Sequence, residues 1–157
     1  MTPRPPAHLT ALGTPSDVSA VARSVPARSG EVAGLRRAAT DVGREAGLAE
    51  ERLAEVALAV GEACANAVVH AYTDREPGVL RLTAQVTGAG LEIVVADDGH
   101  GMTPRTDSPG LGLGLPLMAS LTTAIEIEAP AEGGTAIWML FASAPRVDES
   151  PSWASTG

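Results

Sequence analysis

The sequence predicts a two-layer α/β sandwich, a mixed but mostly antiparallel sheet with helices on one face. Three observations carry this. Short apolar runs of strand character occur at 18–25, 79–86, 91–96, 125–129 and 135–141. Two consecutive segments of helical period, 29–47 and 50–72, separate the first run from the second. Within the strand-like runs, the second and third join through "TGAG" and the last two through "EGGT", short glycine turns that favour antiparallel neighbours.

The chain has 157 residues, 45% of them hydrophobic, enough for one domain with a core but rarely for two. Residues 1–16, "MTPRPPAHLTALGTPS", read as a loosely ordered arm because proline and small residues dominate. Residues 17–143 form the expected domain, and 144–157, ending "SPSWASTG", a flexible tail. In the first helix Val32, Leu35, Ala39, Val42 and Ala46 share one side. The second starts on "EE", whose carboxylates suit the positive end of a helix. After the strand ending at Ala96 comes "DDGHGMTPRTDSPGLGLGLPLMASL", a glycine-rich loop running into a short helix with Pro116 in its first turn.

Composition removes several function classes. A net charge of -8 repels a phosphate backbone, so direct nucleic-acid binding is not expected. All 11 basic residues are arginine, which excludes a P-loop, a Schiff-base lysine and any kinase fold built on a strand lysine. Cys64 is the single cysteine, so no internal disulfide or thiolate cluster can form, and a reducing cytoplasm fits best. No apolar run is long enough to span a bilayer, and the N-terminus lacks the apolar centre of a secretion signal.

On the second helix, Leu53, Val56, Ala57, Val60, Cys64, Ala67, Val68 and Ala71 line one face, which should pack on the sheet. Glu62, Asn66 and His70 run roughly opposite at four-residue spacing, and Ala59 and Ala63 flank them. Small neighbours there leave room for something bulky, although the stripe alone reads equally as an ordinary, partly exposed face, and His70 as a helix-end histidine satisfied by backbone or solvent. An amide oxygen from Asn66 can complete a magnesium shell when phosphates and water supply the rest. Glu62, one turn earlier, can take a proton from an attacking hydroxyl or water.

The strand "IVVADDGHGM" stops at Asp97 and Asp98 and opens into Gly99 and Gly101. By itself this is an Asp-Gly turn; it also suits a flat base, with Asp97 accepting from an exocyclic amine and the glycines allowing close backbone approach. "SPGLGLGLPLM" carries Gly110, Gly112 and Gly114 but not a dinucleotide fingerprint, since Leu117 stands where a third glycine is required. A glycine loop entering a helix N-terminus can hold phosphates through unpaired N–H groups. "EGGT" taken singly is a turn.

Taken in order, these stretches resemble the boxes of the GHKL, or Bergerat-fold, ATPases: Glu62-x-x-x-Asn66, Asp97-x-Gly99-x-Gly101, the run Gly110-Leu111-Gly112-Leu113-Gly114-Leu115, and Gly133-Gly134-Thr135. The resemblance covers roughly residues 18–141. "AVGEACANAVVHAY" is similar to the corresponding box of bacterial anti-sigma factor serine/threonine kinases, which are single-domain, cytoplasmic and often dimeric. The resemblance implies ATP and Mg²⁺ as cofactors, Glu62 as general base, Asn66 as magnesium ligand and Asp97 as adenine contact supported by Thr135. It also implies that Gly99 and Gly101 frame the base, with Met102 beside them, and that Arg105 and the run from Gly110 to Leu115 meet the phosphates. The implied partners are an RNA polymerase sigma factor, which the protein sequesters, and a STAS-domain anti-sigma antagonist, which it phosphorylates.

The lid between the two glycine boxes, "TPRTDSP", is shorter than in the well-known kinases of this kind, with Arg105 its sole cation. A catalytically weak, ATP-dependent partner-switching module is therefore the alternative. A histidine-kinase catalytic domain would need a phospho-accepting histidine on an upstream dimerisation helix, and only His8, in the proline-rich arm, precedes the domain. Asp98, a second carboxylate beside the expected adenine pocket, has no role at this level.

Overall fold

A computed structural model describes residues 20–70, 76, 78–99, 111–129 and 133–142. Five strands, β1 (Ala20–Pro26), β2 (Val79–Thr87), β3 (Gly90–Asp97), β4 (Ala124–Glu128) and β5 (Thr135–Ala142), form one sheet in the order β1-β2-β3-β5-β4. Three helices, α1 (Val32–Glu45), α2 (Glu50–His70) and α3 (Leu111–Leu121), lie between them in the chain, and a 3₁₀ turn at Ser29–Glu31 leads into α1.

Among the described residues all four strand pairings are antiparallel, so the described sheet is not mixed. β5 takes the slot beside β3 and leaves β4 outside it, which separates β3 and β4, two strands that run in the same direction. Alternation along the strands then divides the residues cleanly. Leu80, Leu82, Leu91, Ile93, Val95, Ile137, Met139 and Phe141 point to the side where the helices sit, and all belong to one buried cluster with Leu35, Val42, Leu53, Val56, Val60 and Met118. The expected two-layer arrangement is thus present, and no described helix is long and apolar enough to cross a membrane.

The ends of α1 and α2 follow from local chemistry. α1 stops at Gly47, whose φ of 86° is left-handed; the amide of Leu48 donates to the Gly43 carbonyl at 3.0 Å and that of Gly47 to Arg44, also at 3.0 Å, while the Leu48 side chain is buried. This paired closure satisfies carbonyls that a helix end would leave open. It turns the chain straight into α2, which packs on α1 along one flank and on α3 along the other.

That second flank changes one expectation. Ala59 and Ala63 are fully buried members of the core and leave no open floor beside the polar stripe. With a helix on each side, the buried arc of α2 is wider than a lone sheet contact would make it. A smaller difference concerns α3, which begins at Leu111; Gly112 and Gly114 therefore lie in its first turn and a half, with Pro116 inside the helix.

Two glycines of α1 should respond oppositely to alanine. A Cβ at Gly43 would stand 2.8 Å from Leu53 Cδ2 and 3.3 Å from Leu91 Cδ2, where α1, α2 and the sheet meet; at Gly34 it would meet nothing within 4 Å. Gly34→Ala is expected to stabilise the fold by about 0.5–1 kcal/mol through helix propensity. Gly43→Ala should lose about 1–2 kcal/mol net, because overpacking outweighs that gain. Urea unfolding monitored by circular dichroism distinguishes the two signs.

Candidate functional site

The register of β3 against β5 places Asp97 opposite Thr135, at the same end of the sheet as the last pair of β4 and β5, Glu128 with Ala136. The chain leaves β3 there and makes a tight turn in which the Gly99 amide donates to Asp97 Oδ1 at 2.9 Å. Gly134 in turn donates its amide to the Gly99 carbonyl, again at 2.9 Å. Its φ is 86°, and a Cβ at this position would lie 2.1 Å from the Asp97 carbonyl oxygen. Only glycine fits so near another backbone in that conformation. Gly134 and Thr135 thus make more than a turn: they hold Gly99 and Asp97 in place.

Asp97 is half-buried and its carboxyl is held above the ordinary value, first by loss of water and also by the neighbouring Asp98 carboxylate; backbone hydrogen bonds from Gly99 and Thr135 act the other way. Thr135 is buried at 4% exposure. Asp98, without a role in the sequence, accepts a hydrogen bond from the Val79 amide at 2.9 Å through its Oδ1. It therefore fastens the start of β2 to the end of β3 and is placed outward, exposed, rather than against Asp97's partners.

Asn66 and Glu62 occupy neighbouring turns of α2 but different surroundings. Asn66 is 9% exposed, and its Nδ2 is buried with no hydrogen-bond partner among the described residues. Leaving a buried amide donor unsatisfied costs about 1–3 kcal/mol, so the position suits a bound polar group. Glu62 is partly exposed and lines a groove of about 420 Å³ between α1 and α2, together with Arg36, Leu58, Gly61 and Val69. Cys64, between them in sequence, faces the core; burial pushes its thiol up to about 12 against the opposing pull of Arg36, which makes it an inert packing residue.

The described structure thus joins Asp97, Gly99 and Thr135 by direct contacts and sets Glu62 and Asn66 on one helix. Leu111, Gly112, Leu113, Gly114 and Leu115 belong to α3, with Leu115 packed against the core. Gly101, Met102, Arg105 and Gly110 lie outside the described residues, as do the arm 1–16, the tail 144–157 and Tyr72. Two functional features had no sequence signal. The Gly134–Gly99 bond joins loops 35 residues apart, and Arg52, discussed below, reaches partners 69 and 71 residues away.

Residues 25–141 match the histidine kinase-like ATPase domain. The chain belongs to this family. This ATPase domain is 30% identical over 139 residues to the serine-protein kinase RsbW of Bacillus subtilis (strain 168), across 79% of the chain and 86% of that protein. It is 32% identical over 100 residues to an anti-sigma F factor of Clostridium novyi (strain NT), across 57% of the chain and 70% of that protein. The crystal structure of the RsbU and RsbW domains of Rv1364c from Mycobacterium tuberculosis has the same fold, with a TM-score of 0.63 at 23% identity over 82% of this chain. The ATPase domain spans about a third (34%) of that longer chain.

The raised carboxyl of Asp97 makes a pH-dependent prediction for the ligand-free domain. Between 3.8, the ordinary value, and its higher native value, the folded state holds the Asp97 proton that the unfolded state has released. Native stability contributed by this group is therefore present at low pH and declines as pH rises through that window. Asp97→Asn, which keeps an oxygen to accept from Gly99, should raise the melting temperature at pH 7 and remove this part of the decline; melting curves from pH 4 to 7 for both proteins measure it.

Proposed function

We propose that this protein is an ATP-binding anti-sigma factor of the serine/threonine kinase type, which phosphorylates a STAS-domain antagonist and sequesters a sigma factor. The observation that carries the reading is Glu62 one turn from Asn66, whose side-chain Nδ2 is buried without a partner among the described residues, on the central helix of a histidine kinase-like ATPase domain. Relatives named as serine-protein kinases and anti-sigma factors support it.

In this reading Asp97, aimed by Gly99 and Thr135, accepts from the exocyclic amine of adenine, and the clasped glycine turns admit the flat base. The amides at the start of α3 face the phosphates, since the first four N–H groups of a helix have no partner within it. Among the described residues no three His, Cys, Asp or Glu side chains gather into a metal site. Asn66 would share Mg²⁺, through its amide oxygen, with phosphate oxygens and water, a ligand set that suits this ion. Bound Mg-ATP supplies the phosphoryl group and the neutralising charge. Glu62 takes the proton from the acceptor serine, and its partly exposed position beside an open groove lets a protein hydroxyl reach it. A pure binding module has no use for a base at that place.

Two substitutions separate recognition from chemistry. Asp97→Asn should weaken Mg-ATP binding roughly 5- to 150-fold, the range for a charged hydrogen bond worth about 1–3 kcal/mol, as read by calorimetry. Glu62→Ala should leave that affinity intact and slow serine phosphorylation of a STAS protein by about a hundredfold or more. Phosphorylation at the full rate in the Glu62 variant would strip Glu62 of its role as base, whereas a wild-type protein that binds Mg-ATP but phosphorylates no STAS protein would favour the non-catalytic switching module.

A further inference from the structure

Arg52, in the first turn of α2, is a junction of four elements. Its Nη1 donates to the Leu121 carbonyl at 3.1 Å and pairs with the Glu55 carboxylate; its Nη2 donates to Thr123 Oγ1 at 2.8 Å. The guanidinium lies over the Phe141 ring, 5.4 Å from its centre. Thr123 Oγ1 also accepts from the Ala142 amide at 3.0 Å, and the Thr123 amide donates to Leu140 at 2.7 Å. The side chain is 19% exposed, low for an arginine on a helix end. One planar cation therefore ties the last carbonyl of α3 to α2, to the chain entering β4 and to the end of β5.

The contact fixes how the two helices face each other. Because the start of α2 touches the end of α3, the helices run antiparallel. Counting from Arg52 to Glu62 along α2, and from Leu121 back to Leu111 along α3, covers ten residues and about 15 Å on each. The N-terminus of α3 thus lies level with Glu62 to within about a turn, and Asn66 lies one turn beyond it. That is the relation a triphosphate needs if it is to meet the free amides of α3 and the two polar residues of α2 together.

The Thr123 amide on Leu140 and the start of β4 at Ala124 tether the end of α3 to the sheet, but they do not set α3 along α2. Leu115, Met118 and Leu121 pack on the apolar cluster, and apolar burial is non-directional, so these side chains hold α3 against the core without directional bonds to α2. A slip of one turn moves its amides by about 5.4 Å, beyond hydrogen-bond reach of a phosphate. Among the described residues, Arg52 supplies the directional bonds between α2 and the end of α3.

We infer that Arg52 is a positioning residue for nucleotide binding: it pins the longitudinal register of α3 on α2, and so sets the phosphate-binding helix start against Glu62 and Asn66. This rests on the ATP-binding reading above. It assigns Arg52 to the phosphate end alone, since in that reading adenine meets Asp97 at the end of β3 and Thr135 at the start of β5, the opposite end of the ladder from the pin at Phe141 and Ala142.

The test compares two ligands on the full chain. For Arg52→Gln, the Mg-ATP dissociation constant by calorimetry should rise about tenfold, the scale of one hydrogen bond. The adenosine constant by NMR titration should stay unchanged. Arg52→Lys, which keeps a point charge near Glu55 but cannot bridge Leu121 and Thr123 together, should fall between wild type and Gln for ATP. If Arg52→Gln does not fold, the lysine variant carries the same comparison. Equal loss of ATP and adenosine affinity, or unchanged ATP affinity in a folded variant, overturns the pin and leaves a purely structural arginine. A wild-type chain that takes up no Mg-ATP overturns the nucleotide reading itself, and the pin with it.

Discussion

The antiparallel ladder from Gly90 with Ala142 to Asp97 with Thr135 places everything else in this molecule. It is the central pairing of the sheet, and its inward side chains Leu91, Ile93, Val95, Ile137, Met139 and Phe141 are the floor on which the helices rest. Because side chains alternate along a strand, a shift of one residue would turn that floor to the other face, so the register is held by the whole apolar core. The same register brings Asp97 to Thr135 and lets Gly134 reach Gly99. A packing constraint made over the length of two strands thereby becomes a positional constraint at their ends.

The site grows where ordinary stabilising rules are relaxed. Asp97 loses water and sits beside a second carboxylate, so the native state holds it at a disadvantage at neutral pH. Asn66 buries an amide donor without a partner among the described residues. Gly134 stands in a conformation and at a distance that exclude any side chain. Each is a local cost in the ligand-free protein, and the first two are groups that a polar ligand would satisfy. Cys64, by contrast, is buried in the core until its thiol is unreactive.

The two walls of the site are held differently. β3 and β5 are fixed by backbone hydrogen bonds that repeat at each step. α2 and α3 meet mainly through small and apolar side chains, with Ala59, Ala63 and Met118 buried, and their relative placement depends on the few directional contacts gathered at Arg52. Asp98 performs a comparable service for β2 through the Val79 amide. Polar residues to which the sequence reading gave no role are, in these two cases, spent on aligning elements.

The sequence by itself determined the order and type of the elements, because alternation and helical period are local patterns set by which faces must avoid water. It also determined the helix stop at Gly47 and the polar stripe Glu62–Asn66, whose causes lie within a few residues along the chain. The four boxes, read together, pointed to a histidine kinase-like ATPase domain, to which the comparison with its relatives assigns the chain. Only the tertiary structure decided that every strand pair is antiparallel, that Ala59 and Ala63 are core, that Asp98 and Arg52 are fasteners, and that Gly134 clasps Gly99. Each of these depends on a neighbour many residues away in the chain, and the geometry of such a meeting is set by the packing of the whole domain rather than by any stretch of it.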